Sequence, residues 1–174
     1  MIHFITPYSK GNLGQAYNQE IERLPHDHWV CIMDMDVCVL NNKIPEKMYE
    51  YIEQFYMIDI FTCYTNRIGG YRTQLYKNEL SENSDIKYHK ELTDLLIKKP
   101  NTIKHLTFPI SGFCMLFKVR TWFDLGGFED GIFVDGKFSQ KALHSGKKIA
   151  LMENIYLFHY YRLLEGKQYK GHLI

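Results

Sequence analysis

The stretch Trp29-Val30-Cys31-Ile32-Met33-Asp34-Met35-Asp36 decides how this 174-residue chain folds. Its apolar run, Trp29–Met33, is typical of a strand that is buried on both faces. The strand ends in two carboxylates one residue apart, Asp34 and Asp36. Because a buried charge needs a partner, the pair indicates either a strand that emerges into a solvated turn or a site for a divalent cation beside a phosphate-bearing ligand. For an Asp-x-Asp motif alone, both interpretations stay open.

The residues before this stretch predict a strand and a helix. Residues 1–6 alternate as a strand does, and residues 7–11 form a loop. We expect Asn12 to cap a helix in which Gln15 completes a capping-box-like pair. The apolar face of that helix recurs at spacings of three and four residues, at Leu13, Ala16, Tyr17, Ile21 and Leu24. The order strand, helix, strand, acids predicts a βαβ unit with its carboxylates at the C-terminal end of a strand, where open α/β sheets bind ligands.

The middle of the chain continues this alternation. Pro45 is expected to open a helix, and residues 58–64 to form a strand followed by Asn66 and Arg67. Residues 71–88 are polar and are interpreted either as a mobile loop that closes over a ligand or as a solvated insertion. A helix over 88–97 and extended segments over 103–108 and 110–119 follow.

The last third of the chain contains a glycine turn and two further candidate residues. Residues 126–131 are expected to form a tight turn, and Asp135 to precede an amphipathic helix over 138–144. Two strands are predicted, over 149–152 and 155–162, and the second carries His159. A histidine in an apolar strand is more often a core residue, and an aspartate before a helix is more often a cap, so neither residue alone identifies a site.

Composition limits the class of protein. Apolar residues make up 45% and charged residues 24%, which is ordinary for one soluble globular domain. The net charge of +1 gives no field for sequence-independent nucleic-acid binding, so no nucleic-acid partner is expected. The four cysteines show no zinc-ligand spacing and are interpreted as reduced core residues. Neither a signal peptide nor a transmembrane segment is recognised, which predicts a cytoplasmic protein, with peripheral association at the inner face of a membrane left open.

Five motifs in order resemble the GT-A glycosyltransferases, close to family 2. They are residues 12–18, an Asn-led helix with a terminal Asn; the Asp-x-Asp strand 29–36; the strand 111–117 and the Gly-Gly-Phe turn 126–128; Asp135, in the position of the family's Glu-Asp motif; and His159, in the position of a late metal-binding His. The resemblance covers about residues 1–162. Two departures stand out: Val134 replaces the Glu of the Glu-Asp pair, and the second strand, which carries the base-reading acid of larger members, is missing.

The resemblance implies a single-domain α/β fold, a sandwich with a mixed, mostly parallel sheet flanked by helices. It implies a catalytic domain over residues 1–162, with a donor half over about 1–64 and an acceptor half over about 103–162, and a peripheral tail over 163–174. The implied activity is a metal-dependent transfer of a sugar from a nucleotide sugar, with a UDP-sugar as the expected donor. The acceptor, whether carbohydrate, lipid-linked or protein, is left open, and a homodimer is a further expectation because so small a fold gains from burying extra surface.

The chemistry of the residues agrees with this implication. A hard cation held by carboxylates neutralises a leaving diphosphate, and an imidazole ligand favours Mn²⁺ over Mg²⁺. Asp34, Asp36 and His159 are therefore the expected metal ligands, with a hydrogen bond to the donor ribose as the alternative role of Asp34. Asp135 is the expected general base of an inverting displacement, since no second carboxylate stands out as a nucleophile. The expected donor or substrate contacts come from residues at strand ends, Thr6, Pro7, Tyr8, Asn66, Arg67 and Arg162. The alternatives are a catalytically degenerate nucleotide- or sugar-binding module and, with less support from the loop 7–12, a nucleotidyltransferase.

Overall fold

The computed structural model of the protein describes residues 1–131, 133–161 and 163. The strands are β1 (Ile2–Ile5), β2 (Trp29–Met33), β3 (Val37–Cys38), β4 (Ile60–Thr65), β5 (Ile103–Leu106), β6 (Cys114–Lys118) and β7 (Ile149–His159). The helices are α1 (Leu13–Ile21), α2 (Ile44–Gln54), α3 (Ile86–Leu96), α4 (Val119–Asp124) and α5 (Val134–His144). Among the described residues, no helix combines the length and the apolar character needed to cross a bilayer.

The predicted βαβ unit is present at the start of the chain. β1 and β2 are parallel, with Ile2 opposite Trp29 and Ile5 opposite Ile32. Successive side chains of β2 alternate between two apolar clusters, so the strand is buried on both faces as its composition predicts. The two acids that follow it therefore emerge at the C-terminal edge of the sheet.

The sheet is mixed. Its order is β1-β2-β6-β4-β7-β3, and β5 pairs with β7. The pairs β1–β2 and β4–β7 are parallel, whereas β2–β6, β4–β6, β3–β7 and β5–β7 are antiparallel. Antiparallel pairings thus outnumber parallel ones, because β6 inserts between β2 and β4 in the opposite direction, and the expectation of a mostly parallel sheet is corrected in this respect.

Helices cover both faces of the sheet. On one face α2 packs through Ile44, Met48 and Tyr51. On the other face α1 packs through Tyr17 and Ile21, beside a set of α5 residues. That set consists of Val134, Phe138 and Ala142. All four cysteines are free thiols, and three of them, Cys31, Cys63 and Cys114, are fully buried.

Three predictions about local structure were wrong. No side-chain capping bond forms at Asn12; instead the carboxylate of Asp130 accepts a hydrogen bond from the backbone N–H of Gln15 at 2.9 Å, because the 126–131 turn packs against the start of α1. α5 begins at Val134, so Asp135 lies in its first turn rather than before it. The two predicted last strands are one, β7, in which the buried Asn154 side chain finds hydrogen-bond partners, although the pairing with β4 shifts register between Met152 and Tyr156.

The polar segment 71–88 is mostly exposed, but it contains short helical turns and a few buried residues. It contains two short 3₁₀ turns, Arg72–Gln74 and Asn78–Glu82, and α3 begins at Ile86. Gln74, Leu80 and Ser81 are buried within it. A buried backbone must satisfy its polar groups internally, and these turns do so.

Candidate active site

Asp34, Asp36 and His159 meet at the C-terminal edge of the sheet. One ligand atom from each lies within 4.8 Å of the others. The short ladder between β3 and β7 brings them together, since Val37 is opposite His159 and the Tyr160 N–H donates to the Asp36 carbonyl at 3.0 Å. Two neighbouring acids and a histidine 123 positions after Asp36 thus form one cluster, of the kind that holds a divalent cation.

Two hydrogen bonds and a ring contact fix the position of His159. Its Nδ1 lies 3.0 Å from the carbonyl oxygen of Arg67, so Nδ1 carries a proton and donates it. Its backbone N–H donates to Asn66 Oδ1 at 2.8 Å, and its ring stacks on Phe113 with centroids 5.5 Å apart. This is the outer-shell arrangement that fixes the tautomer of a metal-binding histidine.

The other ring nitrogen of His159 faces carboxylates. Nε2 lies 3.0 Å from Asp36 Oδ1 and 3.7 Å from Asp34 Oδ2. Because Nδ1 already holds a proton, a neutral ring would direct the lone pair of Nε2 at acceptor oxygens. The contact is favourable only with a second proton on the ring or with a cation between these atoms. The donor set, one imidazole nitrogen and two carboxylates, therefore fits a metal ion such as Mn²⁺.

The two acids differ electrostatically. Burial raises the pKa of Asp34 to about 6, and the charges of Asp36 and Asp135 push it in the same direction against the lowering effect of His159. The hydrogen bond with His159 lowers the pKa of Asp36. Asp36 is thus ionised over the whole neutral range, whereas Asp34 is still about half protonated at about pH 6.

Asp135 lies beside this cluster without belonging to it. Its Oδ2 accepts the N–H of Gly112 at 2.5 Å, and no hydrogen bond from a described residue reaches its Oδ1. A Cβ on Gly112 would come within 2.6 Å of the Asp135 Cβ, so only glycine allows this approach. One oxygen of Asp135 is therefore anchored and the other is free to take a proton.

Two cavities meet at Asp34, Gly112 and Asp135. The larger, of 410 Å³, is shared with the metal cluster through His159. Its remaining lining is glycine-rich and aromatic: Ile68, Gly69, Gly70, Tyr71, Ser111, Phe113, Phe133, Gly136 and Tyr161. The smaller, of 180 Å³, lies between α1 and α5 and is completed by Leu13, Tyr17, Gly131 and Val134. A still larger cavity, of 650 Å³, between α2 and α3, contains none of the predicted site residues.

The predicted donor-binding residues lie in different settings. Thr6, Pro7 and Tyr8 follow β1 at the same edge of the sheet as Asp34, but they line neither cavity, and Tyr8 is 73% exposed. Arg162 lies outside the described residues. Substrate contacts by these four residues stay predictions.

Asn66 and Arg67 support the metal cluster from behind. Asn66 is fully buried, and its Nδ2 is without a hydrogen-bond partner among the described residues. The Arg67 guanidinium donates to the carbonyls of Ser81 and Tyr161 and pairs with Glu82. Both residues hold His159 through the contacts described above, and their direct contact with a donor stays a prediction.

Sequence reasoning missed several residues of the site. Tyr17 was placed among the apolar residues of α1, and Gly112 only within a strand motif. Tyr71, Phe133 and Tyr161 were given no role. The glycine pair Gly69–Gly70 was the one sequence feature that could have pointed to this part of the site. In the structure the Tyr161 ring lies against Gly69, where a side chain would clash with it. The aromatic residues gave no signal that separates them from ordinary core or surface residues.

Comparison with known proteins supports the fold. No family model and no curated protein sequence matches the chain. Among solved structures it resembles the crystal structure of S. aureus TarS 1-349 in complex with UDP-GlcNAc, with a TM-score of 0.57 and 13% sequence identity. The match covers 85% of this chain and 38% of that chain. The predicted GT-A-like glycosyltransferase fold is confirmed; at this identity the likeness concerns the fold alone.

Proposed function

We propose that the protein is a nucleotide-sugar-dependent glycosyltransferase that requires a divalent cation. One observation carries the proposal. In a GT-A-like fold, the Asp34–Asp36–His159 cluster and Asp135 lie beside the same cavity, and only one oxygen of the Asp135 carboxylate accepts a hydrogen bond from a described residue. The UDP-GlcNAc bound to the TarS structure supports a UDP-sugar as the first donor to test.

Asp34, Asp36 and His159 would hold Mn²⁺ or Mg²⁺ beside the donor diphosphate. When bound, the cation supplies Lewis-acid neutralisation of the negative charge that develops on the leaving group. The raised pKa of Asp34 makes this ligand sensitive to acidity, and the Arg67 carbonyl keeps His159 turned toward the two acids. These protein groups set where the diphosphate lies relative to Asp135.

Asp135 would act as the general base. An acceptor hydroxyl oxygen forms a bond to the anomeric carbon, the anomeric C–O bond to the diphosphate breaks with its electron pair leaving on the nucleoside diphosphate, and the hydroxyl proton goes to Asp135. Among the described residues that line the two cavities, the acidic ones are Asp34 and Asp135. With Asp34 assigned to the cation, one carboxylate is left, which favours a single inverting displacement over a double displacement.

The test is a thermal-shift screen of UDP, GDP, CDP and their sugars with and without Mn²⁺, followed by an assay for nucleoside diphosphate release. A ligand at a hundred times its dissociation constant stabilises the native state by about 2.7 kcal/mol, which raises the Tm of a chain this size by about 5–10 °C. We expect that shift to require Mn²⁺, to vanish in Asp36→Ala and to persist in Asp135→Asn, in which turnover falls by about 10²–10⁴.

Asp27→Ala is the matched control, because Asp27 is an exposed acid away from the site. Wild-type turnover by Asp135→Asn would exclude Asp135 as the base. Mn²⁺-dependent nucleotide binding with no turnover in the wild type would favour the degenerate binding module, and no shift with any nucleotide would reject the proposed function.

A further inference from the structure

Tyr17 places a hydroxyl group beside the smaller cavity. The residue is only 3% exposed, and its ring packs against Phe128 with centroids 5.1 Å apart. It lines the 180 Å³ cavity together with Asp34 and Asp135. No described residue forms a hydrogen bond with the Tyr17 hydroxyl. A tyrosine hydroxyl in a buried setting usually has a hydrogen-bond partner, and this one is open to a water or a ligand that occupies the cavity.

The surroundings of Tyr17 keep its hydroxyl protonated. Burial raises the pKa of the phenol, and the negative charges of Asp34 and Asp135 raise it further. The hydroxyl is therefore a hydrogen-bond donor at neutral pH, within electrostatic reach of a metal-cluster acid and of the candidate base.

The helix that carries Tyr17 is firmly held. Asn18 Oδ1 accepts from the Phe128 N–H at 2.8 Å and from the Trp122 indole at 2.9 Å, and Asn18 Nδ2 donates to the Phe128 carbonyl at 2.9 Å. One turn earlier, Gly14 lies so close to the Glu129 carbonyl that a Cβ would come within 2.6 Å of its oxygen. A side chain on such a rigid element can position a reacting group well.

We propose that the smaller cavity receives the acceptor and that the Tyr17 hydroxyl donates a hydrogen bond to the attacking oxygen. This inference rests on the proposed function. The attacking oxygen would then use its four tetrahedral directions fully: the bond to its own carbon, its proton toward Asp135, one lone pair accepting from Tyr17, and the other lone pair forming the bond to the anomeric carbon. The proton ends on Asp135 and the electron pair of the broken C–O bond on the diphosphate, while Tyr17 keeps its proton.

The walls of the cavity favour a carbohydrate-like acceptor. Leu13 and Val134 are apolar, whereas Asp34, Asp135 and Tyr17 offer polar groups. A sugar ring has the matching combination of C–H surface and hydroxyl groups. The volume of 180 Å³ corresponds to about six water molecules, so one ring enters and the rest of a longer acceptor stays outside.

The experiment uses water as the acceptor and UDP-GlcNAc with Mn²⁺ as the donor, and measures UDP release. We expect Tyr17→Phe to lower kcat about tenfold, because the attacking oxygen is then no longer held in position to face the anomeric carbon, with the donor KM, the pH profile and the Mn²⁺-dependent thermal shift unchanged. Tyr64→Phe is the matched control, because this tyrosine lines a different cavity. It should behave as the wild type does.

A second variant tests the cavity without altering Tyr17. Leu13→Phe would fill the smaller cavity, and it should lower kcat while leaving the donor KM unchanged. Unchanged kinetics in both variants would overturn the inference. A raised donor KM at unchanged kcat in Tyr17→Phe would also overturn it, because Tyr17 would then contact the donor. Failure of the proposed function is seen separately, as the absence of a Mn²⁺-dependent thermal shift with every nucleotide of the screen described above, and it would remove the inference as well.

Discussion

At the scale of single residues, the ionised carboxylate of Asp34 destabilises the native state of the metal-free protein. Its carboxylate lies near those of Asp36 and Asp135, and its pKa of about 6 lies above the ordinary value of 3.8. A raised pKa means that the native state binds the proton more tightly than the unfolded chain does. Without metal, stability therefore falls as pH rises from about 4 to about 6, and the full loss persists above that range.

We therefore expect Asp34→Asn to stabilise the metal-free protein. The side chain is 40% exposed, so solvent screening limits the gain to about 1 kcal/mol, or about 2–4 °C in Tm. The measurement is thermal unfolding with EDTA between about pH 4 and pH 8, in which the gain should grow up to about pH 6 and then level off. Mn²⁺ should stabilise the wild type and not the variant, and the wild-type effect should weaken below about pH 6 because protons compete with the metal.

Asp27→Asn, an exposed acid away from the site, should leave Tm unchanged at every pH. A gain in Asp34→Asn that does not depend on pH would show that ionisation of the Asp34 carboxylate is not its cause.

At the scale of elements, α1 and the 126–128 turn act as one unit. The two segments were recognised separately in the sequence, as the terminal Asn of a helix and as a Gly-Gly-Phe turn. In the fold the Asn18 amide bonds to both the N–H and the carbonyl of Phe128, and a Cβ on Gly127 would come within 2.9 Å of Asn18 Oδ1. Gly127 also has a φ of +77°, which favours glycine. The two motifs are therefore the two sides of one contact.

We expect Asn18→Ala to destabilise the protein by about 2–4 kcal/mol, because it removes three hydrogen bonds and leaves the Trp122 and Phe128 groups unpaired. Urea denaturation measures this change. Gln19→Ala, at the next and exposed position of α1, should change stability by no more than about 0.5 kcal/mol. Equal effects of the two substitutions would mean that the Asn18 contacts do not hold the unit together.

At the scale of the whole molecule, the two predicted halves interleave. β6, from the second half, lies between β2 and β4 of the first, and β4 lies between β6 and β7. Each half therefore depends on the other for the hydrogen bonds and the apolar contacts of its central strands. The exact boundaries of the halves stay a prediction, but neither half has a complete sheet of its own.

We expect a single unfolding transition. The two tryptophans report on opposite faces of the sheet, since Trp29 belongs to the apolar cluster under α2 and Trp122 packs against the cluster under α1 and α5. In Trp29→Phe and in Trp122→Phe, the urea midpoint from the remaining tryptophan should coincide with the midpoint from far-UV circular dichroism of the same variant. Separate midpoints within one variant would show that the two faces unfold independently.

The sequence by itself determined the local elements. Periodicity and breakers over a few neighbouring residues predicted β1, α1, β2, α2 and β4, because a strand or a helix buries one or both faces according to its own spacing. The position of the acids at the end of β2 followed from the same pattern. The expected capping box and the interruption of β7 were wrong, because Asp130 and the hydrogen-bond partners of Asn154 come from segments distant in the chain.

Only the tertiary structure decided which residues share the site. Asp36 and His159 are 123 positions apart, and Asn18 and Phe128 are 110 apart, and no local pattern encodes such contacts. They depend on the strand order, which places the ends of β2, β4 and β7 at one edge, and on the docking of α1 against the turn before α5. Tyr17 shows the limit most clearly: its spacing marks it as a core residue, and packing alone places its hydroxyl beside the cavity that it shares with Asp34 and Asp135.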